Sequence, residues 1–299
     1  MRIAFITLAS KDYFPGAQKL FQTIKSHTNP DHFQSVLLTT EIDASLFFGS
    51  LFDEIRTLPT LSEKLASSEQ VARFRFTLHK LYVLKFLEDS DFDRVVFFDS
   101  DLMCMSDLEY LLSPDLNSFD FLAVRDFACN KYYSQEISIL GLDSGKIFNS
   151  GCFILNRSIL DSLNYFDLIS SISGSDKSYD GGDQGYFNFV IQNSEVKLGI
   201  LPLRFNYPLD VNYPYVWIPP ILVHFSGEKP WGSKLQIPKW DLQFYKYWNR
   251  EISSQVELES TRSYIILIWS VRNFRVFCHL LDEKMRVFIF SLRRQITGS

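Results

Sequence analysis

Only four cysteines occur in 299 residues, Cys104, Cys129, Cys152 and Cys278, and none forms a C-x-x-C pair. They sit in apolar surroundings and read as reduced core residues, which suits a reducing compartment. No apolar run approaches the ~18 residues that a membrane-spanning helix needs. The N-terminal "MRIAFITLAS" turns polar too soon for a secretory leader, so the sequence reads as cytoplasmic. There is no excess of positive charge either. A net charge of −5 argues against a chain whose whole surface binds nucleic acid. Internal repeats and low-complexity tracts are also missing.

What the chain has in quantity is apolar and aromatic side chains. Hydrophobic residues make up 46% and aromatic residues 16%, with 28 phenylalanines. That is ample for a large core, in one large α/β domain or two smaller ones. The 22% charged residues are an ordinary share for a globular protein.

The apolar runs are short and rich in β-formers. "RIAFITLA", "SVLLTT", "RVVFFD", "FLAVRD" and "FNSGCFILN" read as strands, and "FDEIRTL" as a weaker one. Between them, Leu20, Phe21 and Ile24 after Pro15, and the stretch "FTLHKLYVLKFL", have helical spacing. "GGDQGYFNFVIQ" reads as a glycine turn entering a helix. Strands alternating with helices predict a mostly parallel sheet covered on both faces. Ligands of such sheets bind outside the carboxyl ends of the strands.

One of those ends stands out. In "RVVFFDSDLM", residues 94–103, a buried strand runs into Asp99 and Asp101, two apart and so on one side of an extended chain. Two carboxylates that close repel unless something positive lies between them. Hard oxygen ligands suit Mg²⁺ or Mn²⁺, ions that commonly also hold substrate phosphates. Further stretches add polar groups near glycine turns: Asn149, Ser150 and Gly151 in "FNSGCFILN", Asp180 and Asp183 in "DGGDQG", and His224, Gly227 and Lys229 in "HFSGEKPW". A histidine beside a glycine turn and a lysine suits phosphate binding.

Taken in order, "FITLASKDYFPGA", "FTLHKLYVL", "FFDSDLM", "FNSGCFILN" with "DGGDQGYFN", and "HFSGEKPW" resemble the glycogenin-like retaining glycosyltransferases of family 8. The resemblance runs from about residue 1 to about residue 245. It implies a GT-A fold, a Rossmann-like nucleotide-diphospho-sugar transferase with a mixed, mostly parallel sheet flanked by helices. It also implies a UDP-sugar donor and Mn²⁺, or Mg²⁺, held by Asp99, Asp101 and His224. Lys229 with Gly227 then matches a diphosphate contact. Thr7 and Leu8 match the uracil cradle, Tyr13 its stacking partner, and Ser100 the ribose contact. Lys80 would reach the donor sugar or Asp126, itself a sugar-hydroxyl acceptor. Asn149, Ser150 and Gly151 would line the sugar pocket with Asp180 nearby, and Asp183 and Gln184 would lie beneath the anomeric carbon. The implied reaction moves a hexosyl group, glucose or galactose, to a glycan or lipid-linked glycan. Either a double displacement or a front-face attack would retain configuration, and the front-face route is the preferred expectation. The alternative is a self-glucosylating primer, with Tyr213 as the acceptor.

The composition shifts near residue 250. Residues 262–299 carry Arg262, Arg272, Arg275, Lys284, Arg286, Arg293 and Arg294 against only Asp282 and Glu283. Interleaved with "YIILIWS", "VFCHLL" and "VFIFSL", these predict amphipathic helices. The expected division is a catalytic domain over 1–248 and a helical extension over 249–299. The extension would dock on an anionic membrane, cap the catalytic domain or form a dimer face.

Overall fold

A computed structural model describes residues 1–58, 77–127, 129, 137–138, 140–173, 182–209, 219–226, 229–231 and 248. Asp180, Tyr213, Gly227 and the whole of 249–299 lie outside these residues, and with them the expectations placed there. The chain separates into two compact units, Met1–Pro208 with Pro220–Ser226, and Leu209–Pro219 with Gly227–Ser299. Among the described residues no helix is long and apolar enough to cross a membrane. The following account concerns the first unit.

Seven strands form one sheet in the order β3-β2-β1-β4-β7-β6-β8. They are β1 (Ile3–Leu8), β2 (Gln34–Thr39), β3 (Glu54–Thr57), β4 (Arg94–Asp99), β6 (Phe121–Arg125), β7 (Phe148–Asn156) and β8 (Leu198–Leu201). β3, β2, β1 and β4 run parallel, and β8 runs parallel to β6. β7 pairs antiparallel with both β4 and β6, so it alone runs against the rest. Its first residues therefore land beside the carboxyl ends of its neighbours: Cys152 pairs with Phe98 of β4, and Phe148 with Arg125 of β6.

The strands read as continuous apolar runs because both faces are covered. All six residues of β1 are buried. Alternate side chains enter different cores, as the two-residue period of a strand requires. Ala4, Ile6, Val95 and Phe97 pack with Val83, Leu84, Phe86 and Leu87 of α3 (Tyr82–Glu88) and Phe187, Val190 and Ile191 of α6 (Gly182–Gln192). Phe5, Val96 and Phe98 pack with Ala17, Leu20, Phe21 and Ile24 of α1 (Phe14–His27). Two short helices, α2 (Ala44–Phe48) and α4 (Glu109–Leu112), and α5 (Tyr165–Ser173) complete the helical cover that bears on the argument. The abundant phenylalanines interlock here: Phe5 stacks on Phe33 at 4.2 Å and Phe97 on Phe153 at 4.8 Å between ring centroids. Each such ring fully removed from water contributes about 1.5–3 kcal/mol.

A second, three-stranded sheet joins β5 (Leu102–Cys104), β10 (Leu222–His224) and β9 (Tyr207–Pro208), in the order β5-β10-β9. Its register opposes His224 to Leu102 and to Pro208. The Phe225 amide donates to the Asp101 carbonyl at 3.0 Å. Thr23 of α1 ties this sheet to the first, its hydroxyl accepting from the Cys104 amide at 3.1 Å.

The other end of β4 is held by a fully buried arginine. Arg94 donates to the Asn156 and Asn117 side-chain carbonyls and to the backbone carbonyls of Leu111 and Ser113. No carboxylate is among these acceptors; the charge is spread over four neutral dipoles. An Arg94→Met variant keeps the volume and strands all four. Each buried orphan costs about 1–3 kcal/mol, so a loss of at least about 3 kcal/mol is expected in urea unfolding. A change within experimental error would show that water replaces the guanidinium.

Candidate metal and nucleotide-sugar site

β4 delivers Asp99 as its last residue, and the chain turns through Ser100 and Asp101 directly into β5. The β5–β10 register then sets His224 across from this turn. One ligand atom from each of Asp99, Asp101 and His224 lies within 4.8 Å of the others. His224 Nε2 is 3.2 Å from Asp101 Oδ1 and 3.9 Å from Asp99 Oδ2. The other ring nitrogen, Nδ1, is 2.8 Å from Asn206 Oδ1. Two hard oxygens and one imidazole nitrogen fit Mn²⁺ or Mg²⁺, and the engaged Nδ1 leaves Nε2 for an ion. Gly151 makes room for this ring: a Cβ built there would lie 2.6 Å from His224 Cε1.

Lys80 supplies positive charge from within the protein. It is 6% exposed, and its Nζ lies 2.7 Å from both Asp99 Oδ1 and Asp183 Oδ2. Burial alone would lower the lysine pKa. The Asp183 and Asp99 carboxylates outweigh it and hold the ammonium protonated well beyond the ordinary lysine range. For Asp99, burial dominates and raises the carboxyl above its usual range; Lys80 opposes this and Asp101 adds to it.

Asp183 is gripped from two sides, since Ser150 Oγ also donates to its Oδ2 at 2.7 Å. Gln184 Nε2 donates to Asp126 Oδ2 at 2.7 Å, and the Ser150 amide reaches Gln184 Oε1 at 3.4 Å. Asn188, one turn on, donates to the Gln184 carbonyl at 2.9 Å and exchanges two hydrogen bonds with the backbone of Phe148. α6 is thereby fastened to the start of β7.

These groups surround a cavity of about 450 Å³ lined by Leu8, Tyr13, Lys80, Asp99, Ser100, Asp101, Asn149, Ser150, Asp183, Gln184 and His224, together with Ser10 and Ser226. Most residues singled out from the sequence thus converge. Thr7, Asp126 and Gly151 are buried outside that lining. Of the two partners expected for Lys80, Asp126 bonds Gln184, and among protein groups the lysine pairs with Asp99 and Asp183. Lys229 belongs to the second compact unit, and Asp180 and Gly227 are outside the described residues. Sequence reasoning missed Ser10, Ser226, Asn188 and Asn206. The aromatic neighbours Phe205 and Tyr207 hint that Asn206 is buried, and a buried amide must be bonded, but nothing in the sequence names its partner.

The raised pKa of Asp99 has a consequence for stability. Folding favours the protonated carboxyl, so its contribution is present below the ordinary carboxylate range and lost as the pH rises through the folded-state value. Asp99→Asn should therefore make the metal-free protein more stable than wild type at neutral pH. The gap should close as the pH falls. Thermal melts across pH in chelator check this, and a variant less stable than wild type at neutral pH would contradict it.

A family profile, Glycosyl transferase family 8, matches residues 5–234. Among curated proteins, glycogenin of Komagataella phaffii is 25% identical over 260 residues, covering 78% of this chain and 59% of that protein. UDP-glucuronate:xylan alpha-glucuronosyltransferase 1 of Arabidopsis thaliana is 24% identical over 198 residues, covering 60% of this chain and 24% of that protein. The chain thus spans less than two thirds of the length of either relative. Among solved structures, the galactosyltransferase LgtC in complex with donor and acceptor sugar analogues superposes with a TM-score of 0.66 at 16% identity, covering 86% of this chain and 99% of that one. A likeness at that identity shows the fold, which is GT-A, with a mixed and mostly parallel sheet flanked by helices. With the family profile matched over 5–234 of 299 residues, the protein belongs to glycosyl transferase family 8.

Proposed function

We propose that this chain is a metal-dependent retaining glycosyltransferase that moves a glucosyl or galactosyl group from a UDP-sugar to a glycan or lipid-linked glycan. The observation that carries this reading is the Asp99, Asp101 and His224 cluster on the wall of a cavity that Tyr13, Lys80, Asp183 and Gln184 also line. The relative from Arabidopsis is named for a UDP-sugar donor, and the LgtC structure is that of a galactosyltransferase, which supports the donor class.

Mn²⁺ or Mg²⁺ bound to Asp99, Asp101 and His224 would act as a Lewis acid on the departing diphosphate. The remaining roles fall to the protein. Tyr13 offers a face on which uracil stacks, with Thr7 and Leu8 shaping the base pocket and Ser100 beside the ribose. Asn149, Ser150 and Gly151 border the sugar, with Asp126 behind Gln184.

The grip on Asp183 bears on mechanism. Its Oδ2 accepts from both Lys80 and Ser150, each at 2.7 Å, which lowers the nucleophilicity of that oxygen. This favours front-face transfer, in which Asp183 and Gln184 orient the sugar and stabilise positive charge at its anomeric carbon. Lys80 bridges Asp183 and Asp99 and offsets their mutual repulsion. We assign this chemistry to residues 1–248.

The test is UDP release across a panel of UDP-sugars, with Mn²⁺ and with chelator. One donor should be hydrolysed slowly and only with metal, and Asp101→Ala should lose at least about 10²-fold. Metal-independent release, or an unimpaired Asp101→Ala, would overturn the assignment. Mass spectrometry after the reaction reads the second outcome, sugar on Tyr213, to which the similarity to glycogenin points. Residues 249–299 form, in this proposal, a basic amphipathic extension that places the enzyme peripherally on the cytoplasmic face of a membrane. Flotation with anionic liposomes should require the extension and weaken with salt. Equal flotation of full-length and truncated protein would leave a cap or a dimer face as its role.

A further inference from the structure

The hydrogen bonds behind His224 have only one consistent polarity, and it starts from the backbone. The Gly151 amide donates to Asn149 Oδ1 at 2.9 Å. An amide N–H can only donate, so this contact orients the Asn149 side chain with its oxygen inward. Asn206 Nδ2 approaches the same oxygen at 2.7 Å, which makes Asn206 the donor there. The Asn206 oxygen is thereby turned the other way, to 2.8 Å from His224 Nδ1. An oxygen can only accept, so the proton of the neutral ring sits on Nδ1. The lone pair of the ring is left on Nε2, the nitrogen that faces Asp101 and Asp99.

We infer that Asn206 is a positioning residue for the metal centre: together with Asn149 and the Gly151 amide it fixes the Nδ1–H tautomer and the ring plane of His224, so that Nε2 is ready to ligate. The inference rests on the proposed metal site and deepens it. Asn206 is fully buried and His224 is 5% exposed, so water does not take over the contact. Gly151 serves twice. Its amide begins the relay, and its missing side chain admits the ring, since a Cβ would lie 2.9 Å from His224 Nδ1. The element that joins the three residues is the antiparallel β7. Its opening segment carries Asn149 and Gly151 to the edge where β9 and β10 bring Asn206 and His224. Outer partners of this kind fix the orientation of a metal-ligating imidazole, and their loss lowers metal affinity about 10–100-fold.

Two measurements on the full chain test this. In the first, Mn²⁺ alone is titrated and free ion is read by electron paramagnetic resonance. Asn206→Leu, close in volume but without an acceptor, should bind Mn²⁺ about 10–100-fold more weakly. In the second, the ring nitrogens of ¹⁵N-histidine protein are observed without metal in alkaline buffer, with His224 assigned by a His224→Gln variant. Wild type should show the Nδ1–H form, and Asn206→Leu a mixture. Equal Mn²⁺ affinity of wild type and Asn206→Leu would overturn the relay. A wild-type ring protonated on Nε2 overturns it even if Asn206→Leu does not fold. Absence of Mn²⁺ binding by wild type would defeat the metal reading instead, while the ring spectrum still decides the relay.

Discussion

Three carboxylates, Asp99, Asp101 and Asp183, and an imidazole share the wall of one partly closed cavity. Like charges in so poorly solvated a place cannot all stay ionised without compensation. Lys80 supplies one positive charge and is shared between Asp99 and Asp183. Asp101 faces the unprotonated edge of His224 at 3.2 Å, an arrangement that a cation between them makes favourable. The remaining features of the site follow from this demand for positive charge. The protein meets part of it with a buried lysine, and in the proposed function an ion bound to Asp99, Asp101 and His224 would meet the rest.

The fold meets the geometric side of this demand through direction. Every strand of the large sheet but one runs the same way, so the ends of β1 and β4 open on one edge. The reversed strand β7 begins where the others finish, which brings Ser150 to Asp183 and Asn149 to Asn206 without a long loop. The small sheet then clamps His224 across the turn that carries Asp101. Arg94 sits at the opposite end of β4 and holds the loops there through four neutral acceptors, away from the reacting groups. The strand that presents the charged site is thus anchored at its far end by a buried polar network. A network of that kind is costly to break.

Much of this could be read from residue order. Short buried strands show as apolar runs because both faces are covered, and β1, β2, β4, β6 and β7 were all expected where they lie. The helix after Pro15 also matched, since Leu20, Phe21 and Ile24 form its buried stripe. The stretch around Lys80 begins as a 3-10 turn over Thr77–Leu81 and becomes α-helix only from Tyr82, a distinction that side-chain spacing does not encode. The reversed direction of β7 was likewise invisible, because an apolar strand looks the same read either way. Metal-ligand candidates were legible because charge at the end of a buried strand is conspicuous. Their partners were not: Lys80 has two acids within reach and the sequence cannot choose between them and Asp126. Asn206 becomes significant only when the small sheet folds it against His224.

The account stands or falls on whether a divalent ion and a uridine diphosphate bind this cavity together. Calorimetric titration of UDP into the protein, once with Mn²⁺ and once with chelator, measures that coupling directly. The account predicts tight binding with Mn²⁺ and a loss of at least about tenfold in affinity, 1.4 kcal/mol, without it. Equal affinity in both titrations would mean that Asp99, Asp101 and His224 do not hold an ion for the diphosphate, and would contradict the central claim.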